Sequence, residues 1–308
     1  MKIGIDLGGT KIEIVALQEN NTGQYQELYR QRCNTPQGQY QQTIDAIIKL
    51  INDAETKFQT HASVGIGIPG AISAQTGLVK NANSTCLIGQ PLQKDLEKKL
   101  SRPIRISNDA NCLAVSEATN GNAQNAQVVF GVILGTGVGG GIVINQQVIE
   151  GKNLIAGEWG HNPLPVFKPI DNTLNKQLLS KCIDCYCGKK DCIETHLSGP
   201  GLLKRYKLAG GKAENVPMLI QHAEQGIVLA QVFLQQYQLK LAMALASIIN
   251  IIDPDIIVLG GGLSNINSIY DNIPNIWQQY IFSDQVKTDL KPALHGDSSG
   301  VFGAAFLW

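Results

Sequence analysis

Two segments of the chain carry the same signature. Ile3, Ile5 and Leu7 alternate up to Gly8-Gly9-Thr10-Lys11, and Ile12, Ile14 and Ala16 alternate after it. Val128 to Leu134 is an apolar run that meets Gly135-Thr136-Gly137-Val138-Gly139-Gly140-Gly141, and Ile142 to Ile144 comes next. A shift of 127 residues lays Leu7-Gly8 on Leu134-Gly135. Alternation interrupted by glycine reads as strand, tight turn, strand. Its recurrence in a chain of 308 residues predicts two related α/β domains.

The rest of the pattern agrees with α/β. Tyr40 to Lys57 reads as a helix with Ile44, Ile47, Ile48 and Ile51 on one face. Ser63 to Ile68 is a buried strand ending at Pro69-Gly70. Leu92 to Leu100 is a short helix, Pro103 to Ser107 a strand, and Asn108-Asp109 opens a helix to about Thr119. A long helix from Leu229 presents Phe233, Tyr237, Leu241, Leu245, Ile248 and Ile252 and stops at Asp253-Pro254. A strand then runs into Gly260-Gly261-Gly262, and Ser298 to Ala305 is a terminal helix.

Composition narrows the function. Lys+Arg and Asp+Glu balance at 25 each, so the chain lacks the cationic excess that binds nucleic acid through phosphates. The longest apolar stretch, around Leu241 to Leu259, is broken by Asp253, Pro254 and Asp255, and no membrane span is expected. The N-terminus MKIGIDLGGT places Asp6 and glycines where a signal peptide needs its apolar region, so a cytoplasmic chain is expected. Of seven cysteines, Cys182, Cys185, Cys187 and Cys192 crowd together, a spacing that favours metal over disulfides in a reducing compartment.

Glycine lets backbone N–H groups converge on phosphate oxygens without a Cβ in the way. Thr10 and Thr136 add hydroxyls and Lys11 a cation. Either turn alone reads equally as an ordinary hairpin; the repeated pair points to phosphate. Gly4 to Lys11 fails the P-loop pattern, because Thr10-Lys11 stands where Lys-Ser/Thr is needed. Gly135, Gly137 and Gly140 satisfy G-x-G-x-x-G, but they run into a strand, where the dinucleotide fingerprint needs a helix.

Three polar groups complete the reading. Asn108-Asp109 fits a helix cap, or a carboxylate at the carboxyl edge of a strand, kept ionised by the helix dipole and able to accept a proton. Glu158 and His161 lie in a glycine-flanked segment around Trp159 and read as a ligand-facing loop. Cys185, Cys187 and Cys192 can take three corners of a zinc tetrahedron, with Cys182 or His161 as the fourth.

Taken together, these pieces resemble the ROK family, named for repressors, open reading frames and kinases. The resemblance rests on Asp6 to Lys11, Gly67 to Gly70, Asn108 to Asn111, Gly135 to Gly139, Gly157 to His161, the cysteine run ending at Glu194, and Gly260 to Gly262, in family order along the whole chain. Asn81 to Thr85, Gly89 to Pro91, Gly157 to Pro165, His295 to Val301 and the insert between His161 and Cys185 look closest to bacterial fructokinases, also called manno(fructo)kinases. The pattern departs at Cys86 and Ile88, where those enzymes carry Trp and Asn, and at Asp191, where they carry Gly.

The resemblance implies an actin-like ATPase fold of the ribonuclease H-like type, with an interdomain cleft that closes over a sugar. Residues 1–120 would form the first domain, with a helix at about 297–308 packing back on it, and 121–296 the second, carrying a zinc loop. It implies ATP and Mg²⁺ as cofactors, with Gly4, Asp6, Gly8, Gly9, Thr10, Lys11, Gly135, Thr136, Gly137, Gly139, Gly260 and Gly261 on the nucleotide side. Asp109 becomes the general base. Gly70, Asn83, Asn108, Glu158, His161 and Glu194 surround the sugar, and His161, Cys185, Cys187 and Cys192 hold a structural Zn²⁺. The expected reaction is phosphorylation of fructose to fructose 6-phosphate by a homodimer. A kinase for mannose, glucose or N-acetylglucosamine is the alternative. A sugar-sensing regulator is disfavoured because the first strand begins at Ile3, leaving no room for a DNA-binding segment.

Overall fold

A computed structural model describes residues 1–21, 23–82, 84–165 and 182–308. The chain forms two compact units. One comprises Met1–Gly131, Gly141–Gly157 and Ala293–Trp308; the other comprises Val132–Gly140 and Glu158–Pro292.

The first unit starts with β1 (Lys2–Leu7), β2 (Lys11–Glu19) and β3 (Tyr25–Asn34), each antiparallel to the last. Helix α1 (Tyr40–Phe58) leads to β4 (Ser63–Ile68), a small hairpin of β5 (Ala71–Ile72) and β6 (Val79–Lys80), helix α2 (Leu92–Leu100), β7 (Arg105–Asn108) and helix α3 (Asp109–Asn120). The sheet order is β3-β2-β1-β4-β7, with β4 and β7 parallel to their neighbours. Successive side chains of a strand point to opposite faces. Ile3, Ile5 and Leu7 share one core with Ile44, Ile47 and Ile51 of α1 and with Leu92 and Leu96 of α2. β3 escaped the sequence reading because it is an edge strand with no buried residue, so alternation never shows.

The opposite face is built for close approach. The C-terminal helix, α9 (Ser299–Ala305), lies on β1, β4 and α3. A Cβ on Gly4 would sit 2.0 Å from the Val301 carbonyl oxygen, and one on Gly65 would sit 1.9 Å from that of Ala304. The first unit also takes in 121–131 and 141–157, beyond the boundary expected at 120. The cause is packing on α3, since a Cβ on Gly131 would lie 2.8 Å from Ala114 Cβ and one on Gly141 2.5 Å from Ala110 O.

The second sheet contains β8 (Val128–Leu134), β9 (Val138–Ile144), β10 (Gln147–Val148), β11 (Ile256–Gly260) and β12 (Asp289–Pro292) in the order β10-β9-β8-β11-β12. Counted within each sheet, both orders run third, second, first, fourth, fifth. The repeat read at Leu7-Gly8 and Leu134-Gly135 is thus a repeat of topology. β9 begins at Val138, so Gly139, Gly140 and Gly141 belong to the strand, and the turn is shorter than the glycine run suggested.

The second unit adds α4 (Glu194–Leu197), α5 (Gly199–Leu208), α6 (Val216–Glu224), α7 (Val228–Ile252) and α8 (Ser268–Trp277). By length and composition α7 could cross a membrane. Phe233, Tyr237, Leu241, Leu245 and Ile249 are buried within the protein, and Lys240 stands near the middle, as in a core helix.

Candidate active site

In the first unit, β1 delivers Asp6 to the β1–β2 turn. Gly8 N–H donates to Lys11 O at 3.0 Å, and Thr35 pins the turn from β3's end, its hydroxyl donating to Gly8 O (2.7 Å) and its N–H to Thr10 O (3.0 Å). Gly9, Thr10 and Lys11 stay exposed. Asp6 is half-buried, and its carboxyl is pushed up to about 6 by burial and by the negative charges of Asp109 and Glu13, partly offset by Lys11 and Arg32. Glu13 is buried and paired with Arg30 and Arg32 at 3.1 and 2.9 Å.

Asp109 opens α3. The cap is Asn108, whose Oδ1 accepts the Asn111 N–H at 2.7 Å, while Asp109 Oδ1 accepts the adjacent Ala110 N–H at 2.8 Å. One residue therefore meets the capping requirement and the next is a carboxylate placed beside Asp6. Cys112, one turn on, is fully buried, and burial together with Asp6 and Asp109 holds its thiol protonated. Gly67 packs closely here: a Cβ would sit 3.2 Å from Cys112 Sγ. Gly70 has φ +117° and would strike Lys80 O at 2.6 Å. Asn83 lies outside the described residues.

In the second unit the Gly135–Thr136–Gly137 turn is closed by Gly135 N–H donating to Gly137 O (3.0 Å) and tied to α5 by Gly199 N–H donating to Gly135 O (2.9 Å). Glu194, first in α4, accepts the Val138 N–H on Oε2 at 3.0 Å; a Cβ on Gly137 would lie 2.8 Å from that oxygen. The carboxylate assigned to the sugar thus also braces the glycine turn. The Gly157–His161 segment lies flat on β9. Trp159 is buried and donates its indole N–H to Gly139 O at 3.0 Å, Glu158 is exposed, and His161 is half-buried.

Not every glycine assigned to the nucleotide stands in a turn. Gly4 lies inside β1 under α9 and is a packing position, while Gly139 lies inside β9 and Gly260 at the buried end of β11. Gly261 leaves the strand at φ +82°, where a Cβ would meet Leu134 O at 2.6 Å.

His161, Cys185, Cys187 and Cys192 bring one ligand atom each within 4.8 Å of one another. Cys185 Sγ lies 3.5 Å from His161 Nδ1, and Cys187 Sγ lies 3.6 Å from Cys192 Sγ. A zinc tetrahedron with Zn–S of about 2.3 Å has edges of about 3.8 Å between sulfurs, so the donor set fits the ion. His161 Nε2 meets the Tyr186 hydroxyl at 3.0 Å, which leaves Nδ1 for a ligand role. Cys182 is exposed, outside this set, and faces Asp191.

Asp191 keeps the thiol loop in shape at φ +50°. Its carboxylate accepts from Ile183 N–H (3.0 Å) and Arg205 Nη2 (2.9 Å), while Arg205 Nε donates to Thr195 O in α4 (3.0 Å). His196 beside it is held neutral, its pKa lowered to about 3 by burial and by Lys240 and Arg205. Sequence reasoning missed Arg205 because α5 starts with Gly-Pro-Gly and shows little apolar periodicity.

The ROK family model matches residues 2–308. An N-acetyl-D-glucosamine kinase of Yersinia pseudotuberculosis serotype O:1b is 38% identical over 307 residues, covering 100% of this chain and 98% of the relative. Among solved structures, a ROK hexokinase from Thermus thermophilus superposes with a TM-score of 0.84 at 26% identity, covering 99% of this chain and 97% of that one. A ROK family glucokinase from Streptomyces griseus, in complex with glucose and AMPPNP, gives 0.74 at 25%, covering 99% and 98%. These likenesses carry the actin-like ATPase fold. The fructokinase likeness drawn from Asn81 to Thr85, Gly89 to Pro91, Gly157 to Pro165 and His295 to Val301 is not supported, since the matched relative is an N-acetyl-D-glucosamine kinase. Matched from end to end, with its carboxylates, glycine turns and thiol set in family order, the chain belongs to the ROK family as a sugar kinase.

Proposed function

We propose that this protein transfers the γ-phosphoryl group of ATP to N-acetyl-D-glucosamine. The observation that carries the sugar is the 38% identity to an N-acetyl-D-glucosamine kinase over the full length of both chains. The fructose reading gives way to its alternative.

In this reading the sugar hydroxyl attacks the γ-phosphorus, the bond to the β-phosphate oxygen breaks, and the hydroxyl proton passes to Asp109. The transition state is loose, so positioning and charge stabilisation do most of the work. The Gly8–Lys11 and Gly135–Gly137 turns supply N–H groups, hydroxyls and a cation to the phosphates. Asp6 would hold the nucleotide's Mg²⁺, which would neutralise phosphate charge. Asn108, Glu158, His161 and Glu194 hold the sugar, with Asn83 and Gly70 as further candidates. The reaction needs ATP, in keeping with a cytoplasmic setting.

The test is ADP release across N-acetylglucosamine, glucose, mannose and fructose. N-acetylglucosamine should have the highest kcat/KM, by about tenfold or more over fructose. A fructose preference would overturn the sugar assignment, and turnover of any sugar would dispose of the regulator reading.

A structural Zn²⁺ on His161, Cys185, Cys187 and Cys192 belongs to the same proposal. Purified protein should carry about one zinc per chain. Elemental analysis should find the metal retained in Cys182→Ser and lost in Cys187→Ser, which should also bind sugar more weakly because Glu194 sits two residues beyond Cys192. Loss in both variants would make Cys182 a ligand.

A further inference from the structure

Tyr186 stands between Cys185 and Cys187, two thiols of the metal set. It is the first central residue of a turn closed by Gly188 N–H donating to Cys185 O at 3.0 Å, with Gly188 at φ +86°. The turn carries its side chain outwards, and Tyr186 is 77% exposed. The exposed ring is nevertheless held. It meets the His161 ring edge-on, with centroids 5.1 Å apart, and its hydroxyl lies 3.0 Å from His161 Nε2. His161 Nδ1 lies 3.5 Å from Cys185 Sγ. Both ring nitrogens of His161 are therefore engaged within the second unit, and neither is left to meet a sugar hydroxyl directly.

Hydrogen-bond chemistry passes that role on. With Nδ1 directed to the metal set, the ring proton sits on Nε2 and is donated to the Tyr186 oxygen. A phenol oxygen accepts one hydrogen bond while its own O–H donates another. Glu194 and Glu158 are close enough to act on this hydroxyl: partial desolvation, followed by the negative charges of Glu194, Cys185, Glu158 and Cys187, pushes it up to about 12. A phenol is protonated at neutral pH in any case. We propose that Tyr186 is a sugar-binding residue, its O–H donating to a sugar hydroxyl oxygen where His161 Nε2 would otherwise do so. His161 then contributes through Tyr186, by fixing the orientation of the phenol. The assignment rests on the reading that Glu158, His161 and Glu194 line the sugar site.

The experiment is calorimetric titration of N-acetylglucosamine and of glucose, the better-bound sugar being compared across wild type, Tyr186→Phe, Tyr186→Gly, Glu158→Gln and Glu194→Gln. Tyr186→Phe keeps a ring over His161 and removes only the donor, so Kd should rise by about three- to tenfold. Tyr186→Gly uncovers His161 Nε2, whose N–H can then reach the sugar, so its Kd should lie below that of Tyr186→Phe. Elemental analysis checks that zinc is retained, and Tyr186→Phe decides alone if Tyr186→Gly loses it. A wild-type Kd in Tyr186→Phe, with both glutamate variants weakened, would overturn the role of Tyr186 alone. A zinc-loaded Tyr186→Gly that binds more weakly than Tyr186→Phe would trace the effect to the ring and overturn it too. Unchanged binding in both glutamate variants would overturn the placement of the sugar site and this proposal together.

Discussion

Asp109→Asn should lower kcat by about 10²–10⁴-fold while sugar affinity, measured by calorimetry, stays close to that of the wild type. The substitution keeps size and removes the proton acceptor. The helix is not at stake, because α3 is capped by Asn108 through the Asn111 N–H. Asparagine can still accept the Ala110 N–H that Asp109 Oδ1 now takes. The change also takes one negative charge away from Asp6, whose carboxyl Asp109 helps to push up. A kcat near that of the wild type would reduce Asp109 to a structural role and leave the phosphoryl transfer without its base.

The second large effect concerns stability. A Cβ on Gly303 would lie 1.6 Å from the Cys112 carbonyl oxygen and 2.3 Å from its carbon, both backbone atoms of α3. Nothing flexible can yield there. Gly303→Val should separate α9 from α3 and cost at least about 3 kcal/mol, the upper part of the range for overpacking. For a chain of 308 residues that lowers Tm by roughly 5 °C. Gly262→Ala is the comparison, since a Cβ there has nothing within 4 Å. Its melting temperature should match that of the wild type. If Gly303→Val melted with it, the α3–α9 contact would not be a determinant of stability.

Much of the site was legible because its chemistry is local. Gly8 to Lys11 and Gly135 to Gly137 show as turns because alternation on either side stops at glycine. The thiol cluster shows because Cys185, Cys187 and Cys192 reach one point through a short loop, whatever the rest of the chain does. Asp109 was legible as a candidate, but sequence could not say whether it or Asn108 serves as the cap. Both are good caps, and the choice depends on where the strand ends and the helix dihedrals begin.

Amino-acid order by itself determined the α/β class and the doubling of the chain, and it named the candidates for phosphate, proton and metal. Each comes from periodicity or from donor atoms a few residues apart. Tertiary structure decided what distant segments do to one another. It made Gly4 and Gly303 packing positions under or within α9, gave the Val138 N–H to Glu194, and tied Asp191 to α4 through Arg205. A glycine that turns the chain and a glycine that admits a helix are the same residue in sequence; only the neighbour brought up against its missing Cβ tells them apart.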